Sequence, residues 1–143
     1  MKIYNSLTKK KEEFVPIEKD NVKMYACGIT VYDDSHIGHA RASVTYDMVC
    51  CYLRFLGYKV KYVRNYTDVD DKIIARANAL NMNALDYSED RIKAAEDVFK
   101  KLGADFPDVK CKASENIENI IDFVSKLIEK GYAYPTEKGD VYY

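Results

Sequence analysis

The chain has 143 residues, 48% hydrophobic and 31% charged, which is enough apolar material for one domain with a real core. Its 22 basic and 23 acidic residues leave a formal charge of −1, so bulk charge argues neither for nor against a nucleic-acid partner, although a local basic patch stays open. No run of about 18 apolar residues occurs, so no helical membrane span is expected, and the start MKIYNSLTKKKEEF lacks the apolar core of a secretory signal.

In chain order, Lys2 to Asn5 is expected as a short strand, the KKKEE run as a charged, solvated loop, and Pro16 bars a helix in FVPIEKDNV. VKMYACGITV (22–31) is apolar and partly β-branched, a buried strand expected to end near Cys27 and Gly28. From His39 to Leu56, apolar residues recur at Val44, Met48, Val49, Tyr52, Leu53 and Leu56, the stripe of a long helix closed by Gly57. YKVKYVRNY (58–66) alternates as a second strand. Strand, helix and strand with a crossover of this length make a βαβ unit, hence a parallel sheet.

DVDDKIIARANALN predicts a further helix with acidic residues in its first turn, where the helix dipole favours them. Asp86 and Glu89 suggest a capping box for a helix over 87–102, closed by Gly103. Ser114 is expected to cap a last helix that Gly131 ends, and YAYPTEKGDVYY to form a hairpin. The chain stops within an apparent strand at Tyr143, which suggests a fragment with an unpaired sheet edge. Cys27, Cys50, Cys51 and Cys111 form no CxxC pair and read as reduced thiols of a cytoplasmic protein.

The densest chemistry lies in CGITVYDDSHIGHAR (27–41), which holds both histidines of the chain. It falls at the junction of a strand and the following helix, where an open α/β sheet binds ligands and where free helix N–H groups suit an anion. His36 and His39 are three apart and share a helix face, while Gly38 lets a ligand approach the backbone. Neither GxxxxGK[ST] nor GxGxxG is present. The features fit a phosphate-and-base pocket; a self-contained metal site of Cys27, Asp33, His36 and His39 is the alternative.

His36-Ile37-Gly38-His39 resembles the signature of class I aminoacyl-tRNA synthetases. The longer run CGITVYDDSHIGHAR with YLRFLGYKVKYVRNYTDVDDKI, and the opening IYNSLTKKKEEF and late GDVYY, resemble the cysteinyl-tRNA synthetase family over nearly the whole chain. The resemblance implies an α/β fold: an incomplete Rossmann-like parallel sheet with flanking helices, plus the start of a connective insertion. Residues 1–106 would be the first half of the nucleotide-binding catalytic domain and 107–143 the start of the connective region. The KMSKS half and the anticodon-binding region would lie elsewhere, so the 143 residues alone are expected to be inactive.

By the same resemblance, His36 and His39 contact ATP phosphates and stabilise charge as pyrophosphate leaves, and Gly38 leaves room for adenine. Gly28, Thr30 and Thr67 line the cysteine site, and Cys27 is one ligand of a zinc whose other ligands lie in the missing half. The implied substrates are cysteine, ATP with Mg²⁺, and tRNA(Cys), with no membrane partner. Direct coordination of a thiolate by zinc would separate cysteine from serine in a way an apolar pocket could not. Two other readings remain: a paralogous ligase joining cysteine to an amino sugar, and a noncatalytic nucleotide-binding or interaction fragment. For Asp68, Asp70 and Asp71 the expectation is helix capping and salt bridges.

Overall fold

The structure is a computed structural model that describes residues 1–104 and 107–143. Its elements run β1 (Lys2–Asn5), β2 (Lys10–Glu13), β3 (Asn21–Thr30), α1 (Ile37–Phe55), β4 (Lys59–Thr67), α2 (Asp71–Ala79), α3 (Ala84–Lys101) and β5 (Val109–Lys112). A single 3₁₀ turn (Ser114–Asn116), α4 (Ile117–Glu129), β6 (Tyr134–Pro135) and β7 (Val141–Tyr142) follow. β3, β4 and β5 form a parallel sheet in that order, flanked by helices, which is the α/β class expected from the sequence. β1–β2 and β6–β7 are antiparallel hairpins.

Several local expectations need correction. KKKEE is not a loop: residues 10–13 are β2, paired with β1 so that Lys2 faces Glu13 and Tyr4 faces Lys11. β3 does not stop near Cys27 and Gly28 but continues to Thr30. α3 starts at Ala84, and its first turn is capped by Asn83, whose Oδ1 accepts from Leu85 N–H at 2.8 Å, rather than by Asp86 with Glu89. Ser114 opens a 3₁₀ turn instead of capping α4 directly, because its hydroxyl donates to Asp68. The periodic face of α1 is also different: Ala40, Ser43, Cys50 and Leu53 are buried, while Val44, Met48 and Tyr52 are exposed.

The helix ends behave as the sequence predicts. Gly57, Gly103 and Gly131 follow α1, α3 and α4 with φ of 92°, 72° and 73°, the left-handed conformation that closes a helix. Asp70 caps α2 by accepting from Lys72 N–H at 2.9 Å, and Asp71 sits in the first turn, as expected for these two.

The chain divides into two compact units that interleave along the sequence. The first comprises Met1–Cys27, Ser35–Arg64 and Ala95–Lys110. Its core joins Ala26, Cys50 and Tyr62, with Met24, Tyr46 and Val60 packed against them. Burial pushes the Cys50 thiol pKa up, as befits a core thiol. Asp108 accepts from the Tyr62 amide at 2.6 Å and pairs with Arg54.

The second unit comprises Gly28–Asp34, Asn65–Ala94 and Cys111–Tyr143. Ile73 and Ala77 of α2 are fully buried, as are Tyr66 and Val31. Asp68 does not cap a helix: buried, it accepts from the Ser114 amide at 2.9 Å and from the Ser114 hydroxyl, and so fixes the exit of β4 to the 3₁₀ turn. α4 has no buried residue, and Ile117, Ile120, Ile121 and Phe123 are exposed along it. The domain boundary expected at 106/107 adjoins residues 105 and 106, which lie outside the described residues.

Candidate functional site

In the first unit, α1 begins with an uncommon cap. His36, in extended conformation (φ −102°, ψ 174°), is the N-cap, a position usually held by Ser, Thr, Asp or Asn. Its Nδ1 accepts from Gly38 N–H at 3.1 Å, and the Nδ1 of His39 accepts from His36 N–H at 3.4 Å. The rings stack with centroids 3.8 Å apart and planes inclined by 21°. Two imidazoles thus do the work of a Ser/Glu capping box.

This arrangement settles their tautomers. Each Nδ1 is an acceptor, so each neutral ring carries its proton on Nε2 and presents Nε2–H as a donor. Burial lowers the His39 pKa, followed by the influence of His36 and then of Arg64, all of which favour the neutral form. The two Nε2–H donors on a helix start suit an anionic ligand. Gly38 has an immediate structural reason: a Cβ there would lie 2.8 Å from His36 Cε1, so any side chain displaces the capping ring. The Ser35 hydroxyl beside this turn is buried with no hydrogen-bond partner among the described residues.

Arg64, on β4 of the same unit, is buried. Its guanidinium donates to Ser43, one turn beyond His39 on α1, and lies 5.4 Å from the centre of the Phe99 ring. No ion pair to a carboxylate occurs for it among the described residues. Sequence reasoning groups Arg64 with Asn65, Asp68, Asp70 and Asp71 after the second strand but gives it no role of its own, because its partner Ser43 lies 21 positions away.

Cys27 is the last residue of this unit's share of β3, and its thiol is exposed. Among the described residues, no group of three or more His, Cys, Asp and Glu could hold a metal ion. The alternative of a self-contained site of Cys27, Asp33, His36 and His39 is therefore not formed: Asp33 pairs with Arg76 at 2.9 Å, and both Nδ1 atoms are used in the cap. Cys27 offers one donor, which by itself does not make a zinc site.

The second unit holds Gly28, Thr30 and Thr67 at the carboxyl ends of β3 and β4. Thr30 is half-buried at the last position of β3. Gly28 N–H donates to Asn65 Oδ1 at 2.7 Å, and a Cβ on Gly28 would lie 1.5 Å from the Asn65 carbonyl oxygen. Thr67 accepts from Val31 N–H through its carbonyl at 3.3 Å, while its Oγ1 lies 3.5 Å from Asn65 Nδ2. The loop that follows β3 is fastened by the helices of this unit. Arg76 holds Asp33, Arg91 holds Asp34 at 2.6 Å, and Tyr87 donates to the Tyr32 carbonyl at 2.9 Å.

An α/β fold with a three-stranded parallel sheet agrees with what comparison with known structures returns. The family profile described as tRNA synthetases class I (C) catalytic domain matches residues 13–143, and the chain belongs to that family. Particular relatives sharpen the subclass. The chain is 52% identical over all 143 residues to a cysteine–tRNA ligase of Geobacter metallireducens and 51% to that of Marinomonas sp.. It is 48% identical to that of Chromohalobacter salexigens. It spans 29% to 31% of the length of these relatives.

Among solved structures, the ternary complex of Agrobacterium radiobacter LeuRS with tRNA and LeuAMS superposes with a TM-score of 0.66 at 17% identity. It covers 78% of this chain and 15% of that one. A Campylobacter jejuni protein described as an arginyl-tRNA synthetase gives 0.63 at 14% identity, covering 85% and 37%. These likenesses show the fold. No described helix is long and apolar enough to cross a membrane.

Proposed function

We propose that the protein carrying this chain is a cysteine–tRNA ligase of the cytoplasm, which activates cysteine with ATP and passes it to tRNA(Cys). Identity of 48% to 52% along all 143 residues to cysteine–tRNA ligases carries this reading. In the first step a cysteine carboxylate oxygen attacks the α-phosphorus in line. A new P–O bond forms, the bond to the β-phosphate bridge oxygen breaks, and pyrophosphate leaves with the electron pair. His36 and His39 take the catalytic role: their Nε2–H donors stabilise charge on the phosphate oxygens, and Gly38 keeps the ATP-binding turn open. Neutral donors suit this task because each retains its Nδ1 for the helix cap.

Gly28, Thr30 and Thr67 belong in this reading to the cysteine site, and Cys27 to a zinc whose three further donors come from outside the described residues. When bound, zinc would supply a thiophilic centre that selects the substrate thiol. Mg²⁺ accompanies ATP as part of the substrate. Residues 1–106 then form the first half of the catalytic domain and 107–143 the start of the connective region.

The test is cysteine-dependent ATP–pyrophosphate exchange by the full-length protein, followed by charging of tRNA(Cys). Exchange is expected with cysteine and to fall by about a hundredfold with serine. Exchange without tRNA charging, but with transfer to an amino sugar, would move the protein to the paralogous ligases. Absence of exchange would favour a noncatalytic nucleotide-binding or interaction role.

A further inference from the structure

Asn65 joins the two strand ends of the second unit. It lies two residues before Thr67 on β4, so both side chains point to the same face of the strand. Its Oδ1 accepts from Gly28 N–H at 2.7 Å, which decides how the planar amide is turned. Nδ2 then faces Thr67 Oγ1 at 3.5 Å, a longer contact in which only the nitrogen can donate. The Thr67 oxygen is the acceptor of that pair, so its single proton is directed away from Asn65. The Thr67 carbonyl is held separately by Val31 N–H, which leaves the hydroxyl as the adjustable group at this strand end.

We propose that Asn65 is a positioning residue: by donating to Thr67 Oγ1 while gripping Gly28, it makes Thr67 a hydrogen-bond donor toward the amino-acid substrate. The inference rests on the placement of Thr67 in the cysteine site. It also gives Gly28 a supporting part in that site. The Gly28 amide is engaged by Asn65, and the missing Cβ makes room for the Asn65 carbonyl, so Gly28 supports the site through β4.

The test uses steady-state exchange by the full-length protein, with KM for cysteine and for ATP measured separately. Asn65→Asp keeps an acceptor for Gly28 N–H but turns the second contact round: the carboxylate accepts the Thr67 proton and Thr67 stops donating. KM for cysteine is expected to rise about tenfold with KM for ATP unchanged. Thr67→Val, which removes the hydroxyl at constant shape, is expected to give a similar rise. If Thr67→Val leaves KM for cysteine unmoved, the placement of Thr67 fails. If Thr67→Val raises it and Asn65→Asp does not, the positioning role of Asn65 fails. Should the aspartate variant not fold, Asn65→Ala carries the test: a rise confined to cysteine supports the role, and equal rises for cysteine and ATP overturn it.

Discussion

At the start of α1 the side-chain bonds of the histidine turn join residues two or three apart, whereas at the ends of β3 and β4 the bond from Gly28 to Asn65 spans 37 positions. The first arrangement closes on itself as soon as one helical turn forms. The second exists only once two strands have paired in register. Damage to the turn should therefore stay local, while damage at the strand ends should reach the sheet. Glycine serves both places for different reasons: Gly38 makes room for a neighbouring ring, which can move, and Gly28 for a backbone carbonyl, which cannot.

Gly28→Ala tests this difference at its largest. A Cβ at 1.5 Å from a carbonyl oxygen and 2.5 Å from its carbon is accommodated only if the strands separate. A loss of more than about 4 kcal/mol is expected, seen as insoluble protein or a collapsed thermal transition. A folded variant with near-normal melting would show that the strand pairing at this point is dispensable.

The histidine turn breaks more gently, and two substitutions separate its two roles. His36→Ala removes both the cap and the Nε2–H donor, with a stability loss of about 1 kcal/mol. His36→Asn restores a good N-cap without the ring, so its melting should return toward the parent. Its exchange activity should stay depressed by roughly a hundredfold. Equal activity in the parent and His36→Asn would mean that the imidazole serves the helix and not the reaction.

The same contrast explains what was legible in the sequence. The sheet class, the glycine-closed helices, the Asp70 cap and the terminal hairpin all rest on local pattern, and all are present. The histidine pair at a helix start was legible for the same reason. β2 was missed because a strand of lysines and glutamates has no hydrophobic alternation; its signal is charge complementarity with β1, Lys2 against Glu13. Ser114 has the local pattern of a cap, but Asp68, 46 positions away, uses its amide and hydroxyl. α1 carries apolar residues on more than one face, so periodicity alone did not select the side marked by Ala40, Ser43, Cys50 and Leu53. Asn65 and Arg64 act through partners 37 and 21 positions away, beyond the reach of spacing arguments.

The smallest expected effect concerns the charge of the turn. Burial, His36 and Arg64 all hold the His39 pKa below its usual value of about 6.5, so the folded state favours the neutral ring. In the unfolded chain His39 takes up a proton near pH 6.5, earlier than in the fold. Its contribution to stability is thus complete above about pH 6.5 and is lost as pH falls through the lower folded value. Protonation also places a proton on Nδ1, which ends acceptance from His36 N–H and opens the cap. Thermal melts from neutral to mildly acidic pH should therefore show a shallow decline that His39→Asn flattens in the same window. An unchanged slope in that variant would assign the acid sensitivity to other groups. It would leave the stacked rings as a cap whose strength does not depend on their charge.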